Sequence, residues 1–328
     1  MTDEEFWSAL VCPWHRGPLA RSGDRLLCAA GCDYPVIAGV PFLLRRAGAE
    51  TNPSVVEQSF RLADEIVNGR SSWSVPANGA IDPVVQQIIG ATNSLLYKPL
   101  IGHLREYPIP TFPMLRVKRD CWLIDIGCGW GRWCIAAARA GYAPVGVDLS
   151  LESVLVASRI SAQLGVAAHF VVADSRSLPF APRTFDCAYS YSVLQHFSKE
   201  DVFATLHSLV SVMKPGGIAK LHMLNRYGVR GLQVQVCRGF RNAVGFETRY
   251  WSPAELRKCF SEILGPSLLE VDGFFVQGRY EDRQLFRAYH RLLVELSHGL
   301  TYLSHVIPAL ANVADNLFVV STIITART

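Results

Sequence analysis

The chain has 328 residues, half of them hydrophobic and 18% charged, which supports a sizeable core and excludes wholesale disorder. Its 32 basic and 28 acidic residues leave a net charge of +4, which demands no nucleic-acid partner. Mean hydropathy is +0.19, but the most apolar run, residues 317–324, is far shorter than the roughly 20 residues of a spanning helix. The opening Met1-Thr2-Asp3-Glu4-Glu5 is acidic and lacks the basic region of a signal peptide. A cytoplasmic setting follows as the expectation, with the nine cysteines reduced.

In chain order, residues 8–44 read as short strands (10–11, 26–27, 34–37 and 40–44) punctuated by Gly17-Pro18, Ser22-Gly23-Asp24 and Ala38-Gly39. That is too little core to stand alone without a staple. Residues 51–106 read as helical. One apolar face holds Val55, Phe60, Leu62, Ile66 and Val67; another runs from Val84 through Ile88, Ile89, Leu95 and Leu96 to Leu100 and Leu104. The proline-rich residues 108–113 form a stiff connector.

From residue 121 strands and helices alternate. Strands are expected at 122–126, 144–148, 167–172, 185–189, 218–223, 268–276 and 317–325. Helices are expected at 132–140, 151–164, 201–213, from Ser252 onward and over about 282–311. Ser150 is placed to cap the second of these helices, and Ser252-Pro253-Ala254-Glu255 has the pattern of a capping box. Lys214-Pro215-Gly216-Gly217 reads as a tight turn into the fifth strand of this part. The layout is doubly wound α/β.

The sharpest motif is Asp125-Ile126-Gly127-Cys128-Gly129-Trp130-Gly131-Arg132, which follows a strand and opens a helix, as a nucleotide-binding loop must. The dinucleotide fingerprint G-x-G-x-x-G would need glycine at 132, where Arg132 stands; the spacing here is G-x-G-x-G. About 20 residues on, the next strand ends in Asp148, a carboxylate able to accept both hydroxyls of a ribose. An ordinary tight turn is the plain alternative for the glycines, and a helix cap for Asp174.

Over about residues 118–225 the chain resembles the class I S-adenosylmethionine-dependent methyltransferases. The resemblance rests on an ordered set: the 125–131 loop, Asp148, Ala173-Asp174, Phe185-Asp186 leading into residues 189–197, and Lys214-Pro215-Gly216-Gly217. It implies a Rossmann-like sheet of seven strands with S-adenosylmethionine as cofactor. Gly127, Cys128, Gly129 and Gly131 would then form the loop against the cofactor's methionine part, and Asp125 would orient its amino group through that loop. Asp148, with Leu149 beside it, would hold the ribose. Asp174 would take the adenine amino group with Ser175 beside it, and Ser190 would lie near the sulfonium.

Base N-methylases of this superfamily carry Asn/Asp-Pro-Pro-Tyr/Phe after the fourth strand. Tyr189-Ser190-Tyr191-Ser192 stands there instead, and no Pro-Cys pair marks a covalent mechanism. His196, just past that strand, is the candidate general base, with a packing or capping role as the alternative. Residues 225–251 hold Arg226, Arg230, Arg238, Arg241 and Arg249 against the single acid Glu247, interleaved with aromatics including Tyr250. Arginine forks suit phosphate or carboxylate, so this segment reads as a cap over an anionic or amphipathic small molecule; a solvated basic face is the alternative.

Near the N-terminus, Cys12-Pro13-Trp14-His15 and Cys28-Ala29-Ala30-Gly31-Cys32 offer four nitrogen and sulfur ligands in two knuckles, a set suited to tetrahedral zinc. With residues 34–44, the segment looks like the zinc-ribbon-like family of small methyltransferase activator subunits. It departs from them in having His15 where cysteine is usual and in its wider second knuckle. The chain therefore divides into a zinc-ribbon-like module (1–48), a helical lead-in (49–117) and a cofactor domain (118–328) containing the cap. The expected activity is O-methylation of a small molecule. An RNA or protein methyltransferase with a fused activator, and a non-catalytic cofactor-binding module, are the alternatives.

Overall fold

The computed structural model describes residues 2–45, 52–70, 81–92, 96–114, 121–275 and 278–324. The expected boundaries at 48/49 and 117/118, Leu95 of the lead-in, and the strand ends at Val276 and Thr325 lie outside them.

The chain opens with helix α1 (Asp3–Ala9), which the sequence reading did not anticipate. Thr2 Oγ1 accepts from the Glu5 amide while the Glu5 carboxylate accepts from the Thr2 amide, a reciprocal capping box. A four-stranded antiparallel sheet follows: β1 (Leu19–Ser22), β2 (Arg25–Cys28), β3 (Asp33–Ile37) and β4 (Val40–Pro41). The strand expected at residues 10–11 is reduced to isolated bridges, Leu10 with Phe180 and Val11 with Pro18.

This module has no separate core. Phe6, Leu10, Leu26, Tyr34 and Leu43 share one buried cluster with Val171, Leu178 and Phe180. Main-chain bonds seal the junction: the Val11 amide donates to Pro179 O (3.0 Å), the Ala181 amide to Ala9 O (2.8 Å) and the Leu43 amide to Val172 O (2.8 Å). Burial of Leu10, Leu26 and Leu43, each 1% exposed, stabilises the joint by about 2–3 kcal/mol per side chain. The short sheet thus gains from the larger domain the core it lacks.

The lead-in is not one helical block. It contains α2 (Pro53–Val67), α3 (Pro83–Thr92), a single 3₁₀ turn (Lys98–Leu100), and turns through residues 101–106. Both helices are tied to the cofactor domain. Ser59 Oγ donates to Leu149 O (2.8 Å) and accepts from the Leu151 amide (3.0 Å). Asp82, 2% exposed, pairs with Arg159.

The main sheet is built by β5 (Trp122–Ile126), α4 (Arg132–Arg139), β6 (Ala143–Asp148), α5 (Leu151–Gln163), β7 (His169–Val172), β8 (Phe185–Ser190), α6 (Lys199–Val212) and β9 (Met213–Leu224). It continues through α7 (Val229–Cys237), α8 (Pro253–Ile263), β10 (Ser267–Gly273), α9 (Ala288–Ser304) and β11 (Asn316–Thr322). Seven strands lie in the order β10-β11-β9-β8-β5-β6-β7, parallel from β9 to β7, with β11 antiparallel to both neighbours. Both expected caps are present: Ser150 accepts from the Ser153 amide, and Ser252 with Glu255 forms the second capping box.

Two local expectations are corrected. Residues 214–217 are no turn ahead of the strand; β9 already begins at Met213. Phe185 pairs with Met213 and Cys187 with Ile218, so the Pro-Gly-Gly stretch is accommodated as a bulge within the ladder. The helical stretch over 282–311 is α9 flanked by 3₁₀ turns at Arg283–Leu285 and Pro308–Asn312.

Candidate active site

At the carboxyl ends of the parallel strands lies a cavity of about 630 Å³, where open α/β sheets place their ligands. Its floor is the glycine loop, its far wall the turn after β8, and its roof comes from Asn52 and Val55 of α2 and Ile88 of α3.

The loop is held by the neighbouring strand: the Gly127 and Cys128 amides both donate to Val147 O, at 2.8 and 3.1 Å. Gly127 has φ +72, and a Cβ there would meet Val193 Cγ2 at 2.3 Å. At Gly129, φ is +52 and a Cβ would meet nothing within 4 Å, so the bare backbone faces free space. Both residues line the cavity, as do Cys128 and Leu149. Gly131 does not; it caps α4 with φ +82 and lets the helix close against Ala157 and Phe170.

Asp148 lines the cavity beside the loop. One carboxylate oxygen accepts from the Gly129 amide and the other from the Ser150 amide, both at 2.9 Å. Burial raises its pKa, partly offset by these two amides. Asp125 lies beneath, 1% exposed and not lining the cavity. Its Oδ2 accepts from Cys134 Sγ at 3.4 Å, while its Oδ1 has no partner among the described residues. Burial pushes its pKa up to about 7, assisted by the charge of Asp148. Free space at Gly129 and the Asp148 carboxylate make a cradle that fits a hydroxyl-bearing ligand.

The other expected cofactor residues separate. Ser175 lines the cavity, with its Oγ 3.2 Å from Thr205 Oγ1. Asp174 does not line it: its Oδ1 caps the following turn through the Arg176 amide (2.9 Å), and its carboxylate pairs with the Arg176 guanidinium at 2.6 Å. Ser190 is fully buried, its Oγ donating to Ile126 O at 2.9 Å across the sheet, away from the cavity.

On the far wall, His196 closes a single 3₁₀ turn (Leu194–His196) and lines the cavity. Its Nδ1 lies 2.8 Å from Phe246 O, and its ring stacks on Phe246 at 4.0 Å with an interplanar angle of 4°. A carbonyl only accepts, so Nδ1 carries the proton and Nε2 the lone pair. Burial lowers the pKa, opposed by the bond to Phe246 and assisted by Arg249, so the neutral form dominates at neutral pH. An unprotonated ring nitrogen beside the cavity can accept a proton.

Of the cap residues, Arg230 lines the cavity, whereas Arg226, Arg238, Arg241 and Tyr250 do not. Arg226 is exposed. Arg241 forms a bidentate pair with Glu247 (2.7 Å to each oxygen), and Arg238 donates to Thr248 O and lies 3.9 Å from Glu247. These two guanidiniums fold the cap upon itself. Tyr250 and Arg230 line a second pocket of about 150 Å³. Sequence reasoning missed Gln195, Tyr191, Trp133 and Arg132, all of which line the main cavity. It also missed the structural task of Arg249, whose Nη1 donates to His196 O at 2.6 Å.

At the N-terminus, Cys12, His15, Cys28 and Cys32 converge, with all four ligand atoms within 4.8 Å of one another. His15 Nδ1 lies 3.6, 3.5 and 3.4 Å from the three sulfurs. Zinc bonds of about 2.3 Å to sulfur and about 2.0 Å to nitrogen give tetrahedral edges of about 3.5–3.8 Å. The donor set and its spacing fit that ion.

Residues 123–217 match the family described as a methyltransferase domain. Residues 123–217 thus carry a methyltransferase domain. Among curated relatives, the ubiquinone biosynthesis O-methyltransferase of Brucella anthropi is 33% identical over 104 residues, 32% of this chain and 41% of the relative. That of Parvibaculum lavamentivorans is 32% identical over 130 residues, 38% and 51% of the two chains. The chain thus spans about half the length of the curated relatives it matches. A solved methyltransferase from Methanosarcina mazei aligns over 63% of this chain and 95% of its own, at 17% identity and a TM-score of 0.44. No helix among the described residues is long and apolar enough to cross a membrane.

Proposed function

We propose that this chain transfers the methyl group of S-adenosylmethionine to a hydroxyl of a small molecule, with His196 as general base. The observation that carries this reading is the fixed tautomer of His196, whose Nδ1 proton is committed to Phe246 O, leaving Nε2 as the acceptor, 3.3 Å from the Gln195 side-chain nitrogen on the cavity wall. The names of the curated relatives, both O-methyltransferases, agree with it.

In this reading Gly127, Cys128 and Gly129 receive the methionine part of the cofactor, Asp148 and Leu149 its ribose, and Ser175 the adenine edge. When bound, the cofactor supplies a methyl group on a positively charged sulfur. The protein's own contribution is to hold the acceptor hydroxyl against Nε2, take its proton there and exclude water beneath α2 and α3. Arg230 is the cap cation placed to meet an anionic group on the acceptor.

We further propose that Cys12, His15, Cys28 and Cys32 bind a structural zinc ion that staples the small sheet. Elemental analysis of protein purified without added zinc should return about one ion per chain; a metal-free, fully folded protein would refute this.

The activity is tested by incubating the protein with cell extract and methyl-labelled cofactor and sorting the label. Label on a small-molecule oxygen is expected. Label confined to RNA or protein would overturn the reading.

A further inference from the structure

Helix α9 is apolar on two faces. Its inner face packs on the domain: Val294 is buried, and the buried Ser297 Oγ accepts from the Phe274 amide at 2.9 Å. Its outer face carries Tyr289, Leu292, Leu296, Leu303 and Val306, each between 41% and 74% exposed. Gly299 stands in the same row and is also exposed. The helical path carries to the end of that row, because the Ile307 amide still donates to Leu303 O at 2.9 Å.

Positions 289, 292, 296, 299, 303 and 306 alternate steps of three and four residues. That is the seam of a coiled coil, narrower than the stripe by which a helix covers its own domain. Scattered apolar residues on a surface need no explanation, but a continuous seam along a whole helix does.

Symmetry selects the occupant. The row has the same spacing in both directions about a point midway between Ser297 and His298. A second copy of α9, laid antiparallel across that point, sets Tyr289 opposite Val306, Leu292 opposite Leu303 and Leu296 opposite Gly299. The central layer is the most telling. A Cβ at Gly299 would meet nothing within 4 Å, so the notch there is open to receive a leucine. The same register brings Glu295 of one copy within about 3 Å, along the axis, of Tyr302 of the other, at a rise of about 1.5 Å per residue. Tyr302 is exposed, and its hydroxyl is a donor suited to a carboxylate. Each contact occurs twice, so the arrangement closes as a two-fold dimer and does not propagate.

Area and charge agree with that occupant. With Tyr302 included, the exposed parts of these side chains come to an area on the order of 700 Å² per copy, near the roughly 800 Å² per partner of a standard interface. Histidines aside, Arg291 and Glu295 are the ionic side chains of α9, and they cancel. A helix that lies on a lipid surface carries a strongly basic polar face, which α9 lacks.

We propose that this chain forms a two-fold dimer through antiparallel pairing of α9, with Leu296 of each copy seated on Gly299 of the other. None of the seam residues lines the main cavity, so the pairing can be removed without touching the site.

Sedimentation of the full chain at micromolar concentration should return twice its 36.3 kDa. Leu296→Glu puts two unpaired charges into the seam and should weaken association at least about 100-fold. Its affinity for S-adenosylhomocysteine, measured by calorimetry, should match that of the unchanged protein and so show that it folds. The register is tested in a Cys237→Ser background, because Cys237 is an exposed thiol. Leu296→Cys and Gly299→Cys chains, mixed, left to exchange and oxidised with diamide, should form a mixed disulfide faster than either chain cross-links alone. This arm decides the matter if Leu296→Glu fails to fold. A monomer in the micromolar range, a dimer that survives Leu296→Glu, or cross-linking no faster in the mixture would each overturn the proposal. A monomer that sediments with vesicles of phosphatidylcholine and phosphatidylglycerol would make lipid the occupant instead.

Discussion

The two walls of the cavity are built by different means. On the cofactor side, β5, the glycine loop and the end of β6 put Gly127, Gly129 and Asp148 within one βαβ unit, and main-chain bonds to Val147 and Asp148 fix the geometry. On the acceptor side, each key contact joins residues some 50 positions apart: His196 to Phe246, Arg249 to Gln195 and Arg249 to His196. The first wall is a local property of the chain, and the second exists only once the cap has docked. Substitutions on the two walls should therefore separate cleanly in their effects.

The largest separation is expected at His196. His196→Ala should lower turnover by about 10²- to 10⁴-fold, the usual range for a general base, with cofactor affinity unchanged by calorimetry. Because the active form is neutral and burial lowers the pKa of His196 below its ordinary 6.5, kcat/KM of the unchanged enzyme should rise with pH through an inflection below 6.5. An inflection above pH 6.5, or a variant that retains turnover, would place the proton acceptor elsewhere.

Next in size is Asp125, buried beneath the cofactor wall. Its folded-state pKa is raised to about 7, from roughly 3.9 in an unfolded chain. The native state therefore holds its proton longer, and the stability this confers is complete below about pH 4 and lost as pH rises to about 7. Asp125→Asn cannot ionise, so relative to the unchanged protein it should gain up to about 4 kcal/mol between pH 4 and pH 8. Paired thermal melts across that range check it. A variant-minus-wild-type difference that does not move with pH would break the assignment.

How much of each wall can be read from the sequence follows from the same contrast. The loop, Asp148 and the Ser150 cap are legible because a glycine spacing or a cap works within a few residues. Ser190 sits at the expected strand end, but alternation turns its hydroxyl into the sheet, onto Ile126 O. Asp174 carries the expected side chain, yet Arg176 two positions on claims its carboxylate. Gln195 carries no recognisable spacing; it reaches the cavity wall only through the turn after β8. The N-terminal capping box, by contrast, is legible as Thr2-x-x-Glu5, a pattern that works within one turn.

A smaller effect is expected at Asp148. Asp148→Ala removes an acceptor for the cofactor's ribose and frees the Gly129 and Ser150 amides. Cofactor affinity should fall about 100-fold, equivalent to about 3 kcal/mol, while the pH profile set by His196 keeps its shape. A shifted profile with unchanged affinity would mean that the two walls are coupled rather than independent.

The smallest effect probes the cap itself. Arginines in residues 225–251 invite a substrate-binding role, but Arg241 is bound bidentately by Glu247, which also accepts from the Val244 amide, and it does not line the cavity. Exposed ion pairs of this kind contribute little. Arg241→Ala should change the acceptor KM by less than about twofold, whereas Arg230→Ala, at a residue that lines both pockets, should raise it more if the acceptor is anionic. Steady-state kinetics at two salt concentrations distinguish the cases, since a direct ionic contact weakens with salt. A large KM increase for Arg241→Ala, with Arg230→Ala silent, would show that the basic segment meets its substrate on its outer face and that the acceptor wall lies beyond the cavity.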